Sequence, residues 1–207
     1  MKTILERVLP DEIEKRSFEI IESELTHPLD SKQAPIIKRV IHTTADFDYA
    51  DSLCFSDGAI EQALSAIRSG ACIVTDTNMA KSGINKAALK AFGGDIYCFM
   101  ADEDVSQNAK INGTTRAVAS IEKACSLAVP LIFAIGNAPT ALVHLYELIQ
   151  KELISPKLVI GVPVGFVNVV QSKELIMQTN VPYIVARGRK GGSTVAAAIC
   201  NALLYML

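Results

Sequence analysis

The sequence predicts an α/β fold: a three-layer sandwich with a mostly parallel central sheet and an N-terminal helix that precedes the sheet. One observation is the alternation of short aliphatic runs with longer segments of helical periodicity. A second is the composition, which is 50% hydrophobic but only 6% aromatic and lacks Trp, as is typical of closely packed aliphatic layers. A length of 207 residues is enough for one core, so we expect residues 1–207 to form a single domain.

The N-terminal part begins with an expected amphipathic helix over residues 10–26, where apolar side chains recur at helical spacing between charged ones. A polar connector with two prolines follows at residues 28–35. Residues 39–44 contain a short apolar run that ends in a histidine and two hydroxyls, and we interpret them as the first strand of the sheet. This strand would carry His42 into a polar loop. A second helix is expected over residues 57–69.

From residue 71 onward, strands and helices alternate. Strands are expected over residues 71–74, 96–99, 131–135, 158–161 and 183–186. Helices are expected over residues 85–92, 113–127 and 170–179, from Pro139 onward, and over residues 195–207. The loops that follow parallel strands meet at one edge of the sheet, which is where such proteins bind ligands. Those loops carry His42, Lys81, Arg116, Asn137, Thr140, Arg187 and Arg189.

Charge and composition exclude several classes of protein. The net charge of -2 gives no basic field, so we expect no nucleic-acid partner. The five cysteines are odd in number and widely spaced, which favours free thiols in a reducing compartment over a metal site. Residues 1–10 lack an apolar core, and the apolar run at residues 127–135 is too short to cross a bilayer. We therefore expect a cytoplasmic protein with no membrane anchor.

Familiar catalytic motifs are missing from the sequence. No G-x-G-x-x-G opens the first strand–helix unit, residues 188–193 lack the complete phosphate-loop pattern, and no G-x-S-x-G is present. The three histidines lack metal-ligand spacing. A site without metal or cofactor remains, rich in cations, hydroxyls and backbone amides, and such a site suits a polycarboxylate. A nucleotide-binding α/β enzyme is a further interpretation, which stabilisation by ATP or NAD would favour; because the motifs are missing, we expect neither nucleotide to raise the thermal stability.

Two segments are candidate anion sites. Residues 136–139 form a tight glycine turn between a strand and a helix, where free N–H groups at a positive helix end suit a carboxylate; a well-capped junction is the alternative. Residues 187–194 place three cations and three glycines before the last helix. The polar loop at residues 75–84 supplies Lys81, Ser82 and Gly83. For each cation, a surface charge without function is the alternative.

His42 has two interpretations. A hydrogen-bonded core histidine is the first, and a group that gives and takes a proton near neutral pH is the second. The neighbouring Arg39 favours the second. Phe166 likewise is either a platform for a flat ligand or an aromatic packed in the core or in a dimer interface.

Several blocks, in one order from about residue 10 to the C-terminus, resemble the precorrin-8X methylmutase (cobalt-precorrin-8 methylmutase) family. They are Arg16-Ser17-Phe18, Arg39-Val-Ile-His42, Ile135-Gly-Asn-Ala-Pro-Thr-Ala-Leu142, Gly161-Val-Pro-Val-Gly-Phe-Val167, Gln171-Ser-Lys173 and Gly188-Arg-Lys-Gly-Gly-Ser193. The resemblance implies an intramolecular isomerase of cobalamin biosynthesis that moves a methyl group from carbon 11 to carbon 12 of a corrin precursor, giving hydrogenobyrinate or cobyrinate. It also implies no added cofactor and a homodimer. A tetrapyrrole carrier without catalysis is the alternative.

The resemblance also implies roles for individual residues. It makes His42 the proton donor and acceptor, and it places Ser17 and Arg39 against the substrate. It assigns no second catalytic group in the Thr43–Asp46 segment, where Thr43 is a candidate only because it is next to His42, and Gln171 stands where the family pattern has an acidic residue. The peripheral carboxylates would be held by cations and by the amide turns at Asn137 and Gly191. The full set of expected substrate-binding residues is Ser17, Arg39, Thr43, Lys81, Ser82, Gly83, Arg116, Asn137, Thr140, Arg187 and Arg189.

Overall fold

The structure, a computed structural model, describes residues 6–207 and contains a six-stranded sheet. The strands are β1 (Leu53–Phe55), β2 (Cys72–Thr75), β3 (Ile96–Tyr97), β4 (Leu131–Ile135), β5 (Leu158–Gly161) and β6 (Tyr183–Ala186). Their order across the sheet is β1-β6-β5-β4-β2-β3. Strands β2 to β6 are parallel to one another, and β1 runs antiparallel to β6 at one edge. The expected mostly parallel sheet is confirmed.

Helices surround this sheet. In the described residues they are α1 (Ile13–Glu24), α2 (Ala34–Thr44), α3 (Tyr49–Ser52), α4 (Ala59–Arg68), α5 (Asn78–Gly83), α6 (Lys86–Lys90), α7 (Glu103–Ile111), α8 (Arg116–Cys125), α9 (Pro139–Gln150), α10 (Val169–Met177) and α11 (Ser193–Tyr205). The long helices have an apolar stripe that faces the sheet or a neighbouring helix.

The core is divided by the sheet into two layers. Successive strand residues point to opposite faces, so Ile73 packs with α2, α4 and α11, whereas Val74 packs with α8 and α9. Both faces of the central strands are buried, which is why their sequences are continuous aliphatic runs rather than alternating ones. The three-layer sandwich is therefore confirmed.

The strand order determines where a ligand site is favoured. The chain places β3 on one side of β2 and β4 on the other, so the direction of winding reverses between β2 and β4. In doubly wound sheets, ligands bind near such a point, at the carboxyl edge of the sheet. The loops after β5 and β6 continue along the same edge.

One expected strand is wrong. Residues 39–44 form the C-terminal half of α2, in which Ile36, Ile37, Val40 and Ile41 are all buried at helical spacing. The short Val40-Ile41 run resembles a strand only when the preceding pair of isoleucines is left out. Pro35 lies in the first turn of this helix, where its missing N–H has no cost.

The sheet instead takes its sixth strand from β1, which the sequence interpretation missed. It is three residues long, and its antiparallel register pairs Leu53 with Ala186 and Phe55 with Ile184. The sequence interpretation also missed α7 (Glu103–Ile111), and the polar loop at residues 75–84 contains α5. Strands β4, β5 and β6 have the expected bounds.

Two further expectations concern the whole chain. No helix within residues 6–207 is long and apolar enough to cross a membrane. The expectation of no signal peptide in residues 1–10 falls partly on residues 1–5, which lie outside the described residues. The five cysteines are unpaired, and burial raises the pKa of Cys200 to about 12, so this thiol is inert at neutral pH.

Candidate active site

A buried carboxylate lies at the point where the winding reverses. Asp76 directly follows β2 and is only 3% exposed. Its carboxylate accepts hydrogen bonds from the backbone N–H groups of Gly136 (2.8 Å), Asn137 (2.8 Å) and Ala138 (2.6 Å). Burial raises the pKa of Asp76, whereas the three N–H donors favour the charged form and oppose that rise.

Asp76 changes the interpretation of the 136–139 turn. The three amides that the sequence suggested for a substrate carboxylate are already bound to a carboxylate of the chain itself, so they are not free. The side chains of Asn137 and Thr140 remain exposed beside them. The Thr140 hydroxyl lies 3.3 Å from that of Thr115, which caps α8 by accepting from Val118 N–H.

The loop after β6, residues 187–192, is the second element of this edge. Gly192 N–H donates to the carbonyl of Val162 (2.8 Å), and Gly165 N–H donates to the carbonyl of Arg189 (3.1 Å). Gly191 is required by close packing, since a Cβ there would lie 2.1 Å from the Val162 carbonyl oxygen. The loops after β5 and β6 are therefore joined by their backbones.

The cations of this loop have different partners. Lys190 Nζ lies 2.6 Å from a carboxylate oxygen of Asp46 and 2.6 Å from one of Asp48, which raises its own pKa and lowers that of Asp46. Arg187 Nε lies 3.4 Å from Glu174. The guanidinium of Arg189 lies 5.4 Å from the ring centre of Phe166, and it forms no ion pair within residues 6–207. Arg189 is thus the cation of this loop best able to receive an external carboxylate.

Phe166 is not a core residue. Its side chain is 81% exposed, and the neighbouring Val167 and Val164 are exposed as well. The core interpretation of this aromatic is wrong, and a platform for a flat ligand and an interface residue remain. Phe166 and Arg189 together present an apolar face with a cation against it.

His42 lies on the outer surface of α2 and not at the end of a strand. The residue is exposed, and its imidazole meets the ring of Phe18 edge to face, with ring centres 5.6 Å apart and planes at 82°. The interpretation as a core histidine is therefore wrong. None of the ion pairs within residues 6–207 includes this imidazole, so its ring nitrogens are open to solvent or ligand.

Arg39 lies one turn before His42 on the same face of α2. Its side chain is only 17% exposed, and its guanidinium lies 5.5 Å from the ring centre of Phe18 and 4.7 Å from that of Tyr205. It forms an ion pair with the more exposed Glu14 of α1. Two aromatic rings therefore fix the position of this cation, while its charged partner is accessible to solvent.

The hydroxyls near Arg39 bond to their own helices. Ser17 Oγ donates to the carbonyl of Ile13 (2.8 Å), and Thr43 Oγ1 donates to the carbonyl of Arg39 (2.9 Å). Each hydroxyl oxygen keeps lone pairs with which it can accept from a ligand. We call Ser17, Phe18, Arg39, His42 and Thr43 the helical group.

The segment with Lys81, Ser82 and Gly83 is α5, which packs against α11. The Gly83 carbonyl accepts from Asn201 Nδ2 (2.8 Å), and a Cβ on Gly83 would lie 3.0 Å from the Cβ of Ala197. At the start of α5, the Thr77 hydroxyl lies 2.8 Å from that of Ser193. Residues 77–83 are thus attached along α11, between the carboxyl edge and Tyr205.

Most of the predicted residues, together with Phe18 and Asp76, therefore fall into two groups that lie on different elements. The helical group lies on α1 and α2, and a sheet-edge group (Asp76, Asn137, Thr140, Phe166, Arg187 and Arg189) follows the strands. The Lys190 pairs with Asp46 and Asp48 connect the end of α2 to the sheet edge. Arg116 is exposed at the first residue of α8. Residues 6–207 contain no cluster of three or more His, Cys, Asp or Glu side chains that could hold a metal ion.

Several contributors were missed by the sequence interpretation. Tyr205 and Phe18 hold Arg39, Asp76 orders a turn, and Lys173 orders a loop. Asp76 carried a usable signal, because an acidic residue directly after a buried strand lies at the carboxyl edge of a parallel sheet. Tyr205 carried none, because it lies 166 residues from Arg39 in the chain, and only folding brings the two together.

Comparison with known proteins identifies the relatives of this chain. The family model described as precorrin-8X methylmutase matches residues 12–206. The cobalt-precorrin-8 methylmutase of Priestia megaterium is 48% identical over 197 residues, which are 95% of this chain and 88% of that protein. The enzyme of the same name from Salmonella typhimurium is 47% identical over 205 residues, or 96% of each chain. A crystal structure of precorrin-8X methylmutase from Thermus thermophilus superposes with a TM-score of 0.88 at 41% identity, covering 95% of both chains.

Proposed function

Because this chain belongs to the precorrin-8X methylmutase family and is an isomerase of cobalamin biosynthesis, we propose that it moves a methyl group from carbon 11 to carbon 12 of a polycarboxylated corrin precursor. The products would be hydrogenobyrinate from the metal-free substrate and cobyrinate from the cobalt form. The observation that carries this proposal is the pair Arg39 and His42, which lie one turn apart on α2 and both contact the ring of Phe18.

His42 would supply the proton. An imidazole can both donate and accept a proton, and the exposed ring of His42 is accessible to a bound macrocycle. Protonation of the conjugated ring system creates a cation that draws electron density toward it, which lowers the barrier for the neighbouring methyl group to migrate. When the methyl group has moved, the proton returns to His42, so the reaction needs no added cofactor and is an isomerisation.

Arg39 would hold a substrate carboxylate next to the proton donor. Its guanidinium is oriented by two rings and is always charged, so it is preorganised for a carboxylate. Glu14, its present partner, is 52% exposed, so a substrate carboxylate replaces it at little desolvation cost. Ser17 lies on α1 and Thr43 lies on α2 with Arg39, and both hydroxyls would contact the same edge of the substrate as Arg39.

The remaining carboxylates of the macrocycle would reach the sheet-edge group. Arg189 has no ion pair within residues 6–207 and lies against the exposed ring of Phe166, which suits a flat, carboxylated ligand. Lys81, Ser82, Gly83, Arg116, Asn137, Thr140 and Arg187 complete the proposed binding residues. In our proposal the enzyme works as a homodimer of single-domain subunits, in which the exposed apolar residues 164–167 are available for contact.

Conversion of the macrocycle, followed by its visible spectrum, tests the function. The wild-type enzyme is expected to convert precorrin-8X or cobalt-precorrin-8 to the corresponding corrin. Both forms are tested because two of the relatives compared above are named for cobalt-precorrin-8 and the third for precorrin-8X. Stoichiometric binding of both without conversion would contradict the methyl shift and indicate a carrier.

His42→Asn tests the proton donor. Because it removes a general acid and keeps a polar side chain, turnover should fall by roughly 10²–10⁴-fold. The dissociation constant for the product hydrogenobyrinate should change little, since Arg39 and the sheet-edge group remain. Normal turnover in this variant would exclude His42 as the proton donor. His27→Asn is the matched control, because that imidazole lies in the connector between α1 and α2.

A further inference from the structure

Lys173 is a buried cation that the proposed chemistry does not use. It lies on α10 with a relative exposure of 0%. Its Nζ donates to the carbonyls of Gly188 and Lys190, both at 2.8 Å, and it forms no ion pair with a carboxylate within residues 6–207. A buried charge is costly unless its hydrogen bonds are satisfied, so a lysine that meets only two backbone carbonyls requires an explanation.

The two carbonyls that Lys173 binds lie on either side of Arg189. The carbonyl of Arg189 itself accepts from Gly165 N–H (3.1 Å). Three consecutive carbonyls, those of residues 188–190, are therefore each held by a donor from α10 or from the loop after β5. The backbone from which Arg189 projects is fixed, and its side chain is directed along the exposed ring of Phe166.

The charged side chains around Lys173 pair with one another and not with Lys173. Lys190 extends to Asp46 and Asp48, and Arg187 pairs with Glu174, the residue next to Lys173 on α10. The carboxylates near this loop are thus paired with other cations, and the Lys173 ammonium is used for the backbone alone. Lys173 therefore holds the backbone of residues 188–190 in place.

We propose that Lys173 is a positioning residue for substrate binding, which holds Arg189 where it receives a carboxylate of the macrocycle beside Phe166. This inference rests on the proposed function, because it needs a polycarboxylated ligand. It predicts that Lys173 affects binding through Arg189 and leaves the proton transfer at His42 unaffected.

A double-mutant cycle tests this coupling. Lys173→Met keeps the length of the side chain and removes its donors, and Arg189→Ala removes the cation. Each single variant should weaken binding of hydrogenobyrinate and raise KM by about tenfold, with kcat unchanged. The double variant should bind no more weakly than Arg189→Ala alone, since without Arg189 there is nothing left for Lys173 to position.

Arg116→Ala is the matched control, because Arg116 is an exposed cation on α8 that Lys173 does not contact. Its effect should multiply with that of Lys173→Met. Independent effects of Lys173 and Arg189, or a fall in kcat for Lys173→Met, would overturn the inference. If Lys173→Met does not fold, Lys173→Gln, which keeps one amide donor, enters the same cycle. Failure of both variants to fold would assign Lys173 a global structural role and also overturn it.

The proposed function can fail separately from this inference. A wild-type enzyme that neither binds hydrogenobyrinate nor converts the precursor would contradict the function. Normal conversion together with independent effects of Lys173 and Arg189 would contradict only the positioning role.

Discussion

The helical group and the sheet edge use charged side chains in opposite ways. On α1 and α2, His42 is exposed and Arg39 is held by aromatic rings, and we propose that both contact the substrate. At the sheet edge, Asp76 and Lys173 are buried, and both bind backbone groups of the chain itself. The buried charges of the sheet edge order loops, whereas in our proposal the charges of the helical group bind and protonate the substrate. Substitutions in the two regions should therefore affect different quantities.

The largest effect on stability is expected at Asp76. Asp76→Ala leaves the N–H groups of residues 136–138 without their buried acceptor, so the free energy of unfolding should fall by about 3–5 kcal/mol. Urea unfolding with an unchanged m-value measures this loss. Glu24→Gln, an exposed acid at the end of α1, is the control and should change stability by less than about 0.5 kcal/mol. A loss below about 1 kcal/mol for Asp76→Ala would mean that water replaces the carboxylate and that the turn does not depend on it.

Asp76 also indicates how much of the site is predictable from sequence. Five of the six strands and the parallel order follow from aliphatic runs, because strands buried on both faces leave that pattern. Residues 39–44 were assigned wrongly because a two-residue apolar run has no period of its own, and only Ile36 and Ile37 reveal the helix. The sequence around residues 136–138 contains no sign that their N–H groups have an acceptor. That acceptor is Asp76, which directly follows β2 and lies 60 residues before Gly136 in the chain.

Lys173 gives the next largest effect, and it depends on pH. Burial lowers the pKa of Lys173 from 10.5 to about 8. Between these values the unfolded chain binds this proton and the folded chain does not, so the stability contributed by this residue rises as pH increases from 8 to 10.5. Lys173→Met lacks this contribution. The wild-type free energy of unfolding minus that of the variant should therefore increase by about 3 kcal/mol over this range.

Chemical denaturation at pH 7.5, 9 and 10.5 measures that difference. The exposed Lys157 is the control, because Lys157→Met should give a difference that does not change with pH. A constant difference for Lys173→Met as well would show that the two carbonyls keep the ammonium charged in the folded state. The buried Lys173 would then differ from an exposed lysine in its position but not in its pKa.

A smaller effect, on binding and not on stability, is expected in the helical group. Phe18→Leu removes the ring that contacts both Arg39 and His42. A cation–π contact of about 0.5–1 kcal/mol corresponds to a rise in KM of about two- to fivefold. Phe92→Leu, which changes a partly buried aromatic packed against the core, should lower stability and leave KM unchanged. Equal effects of the two variants on KM would remove the distinction between the helical group and the scaffold.

The smallest effect is expected where the two regions meet, at the pairs of Lys190 with Asp46 and Asp48. Lys190 and Asp48 are exposed and Asp46 is partly exposed, so salt screens their attraction. Lys190→Met should therefore lower the unfolding midpoint only slightly, and not at all in 1 M NaCl. The pairs raise the pKa of Lys190 above 10.5 and lower that of Asp46 below 3.8. Their contribution is therefore fully present between these two values. It is lost as pH rises through the raised pKa of the lysine or falls through the lowered pKa of the aspartate.

Unfolding midpoints measured at pH 3, 7 and 11, with and without salt, check this pH dependence. If turnover falls in Lys190→Met while its midpoint is unchanged, the pairs transmit the position of the sheet edge to α2, and the two groups act as one site.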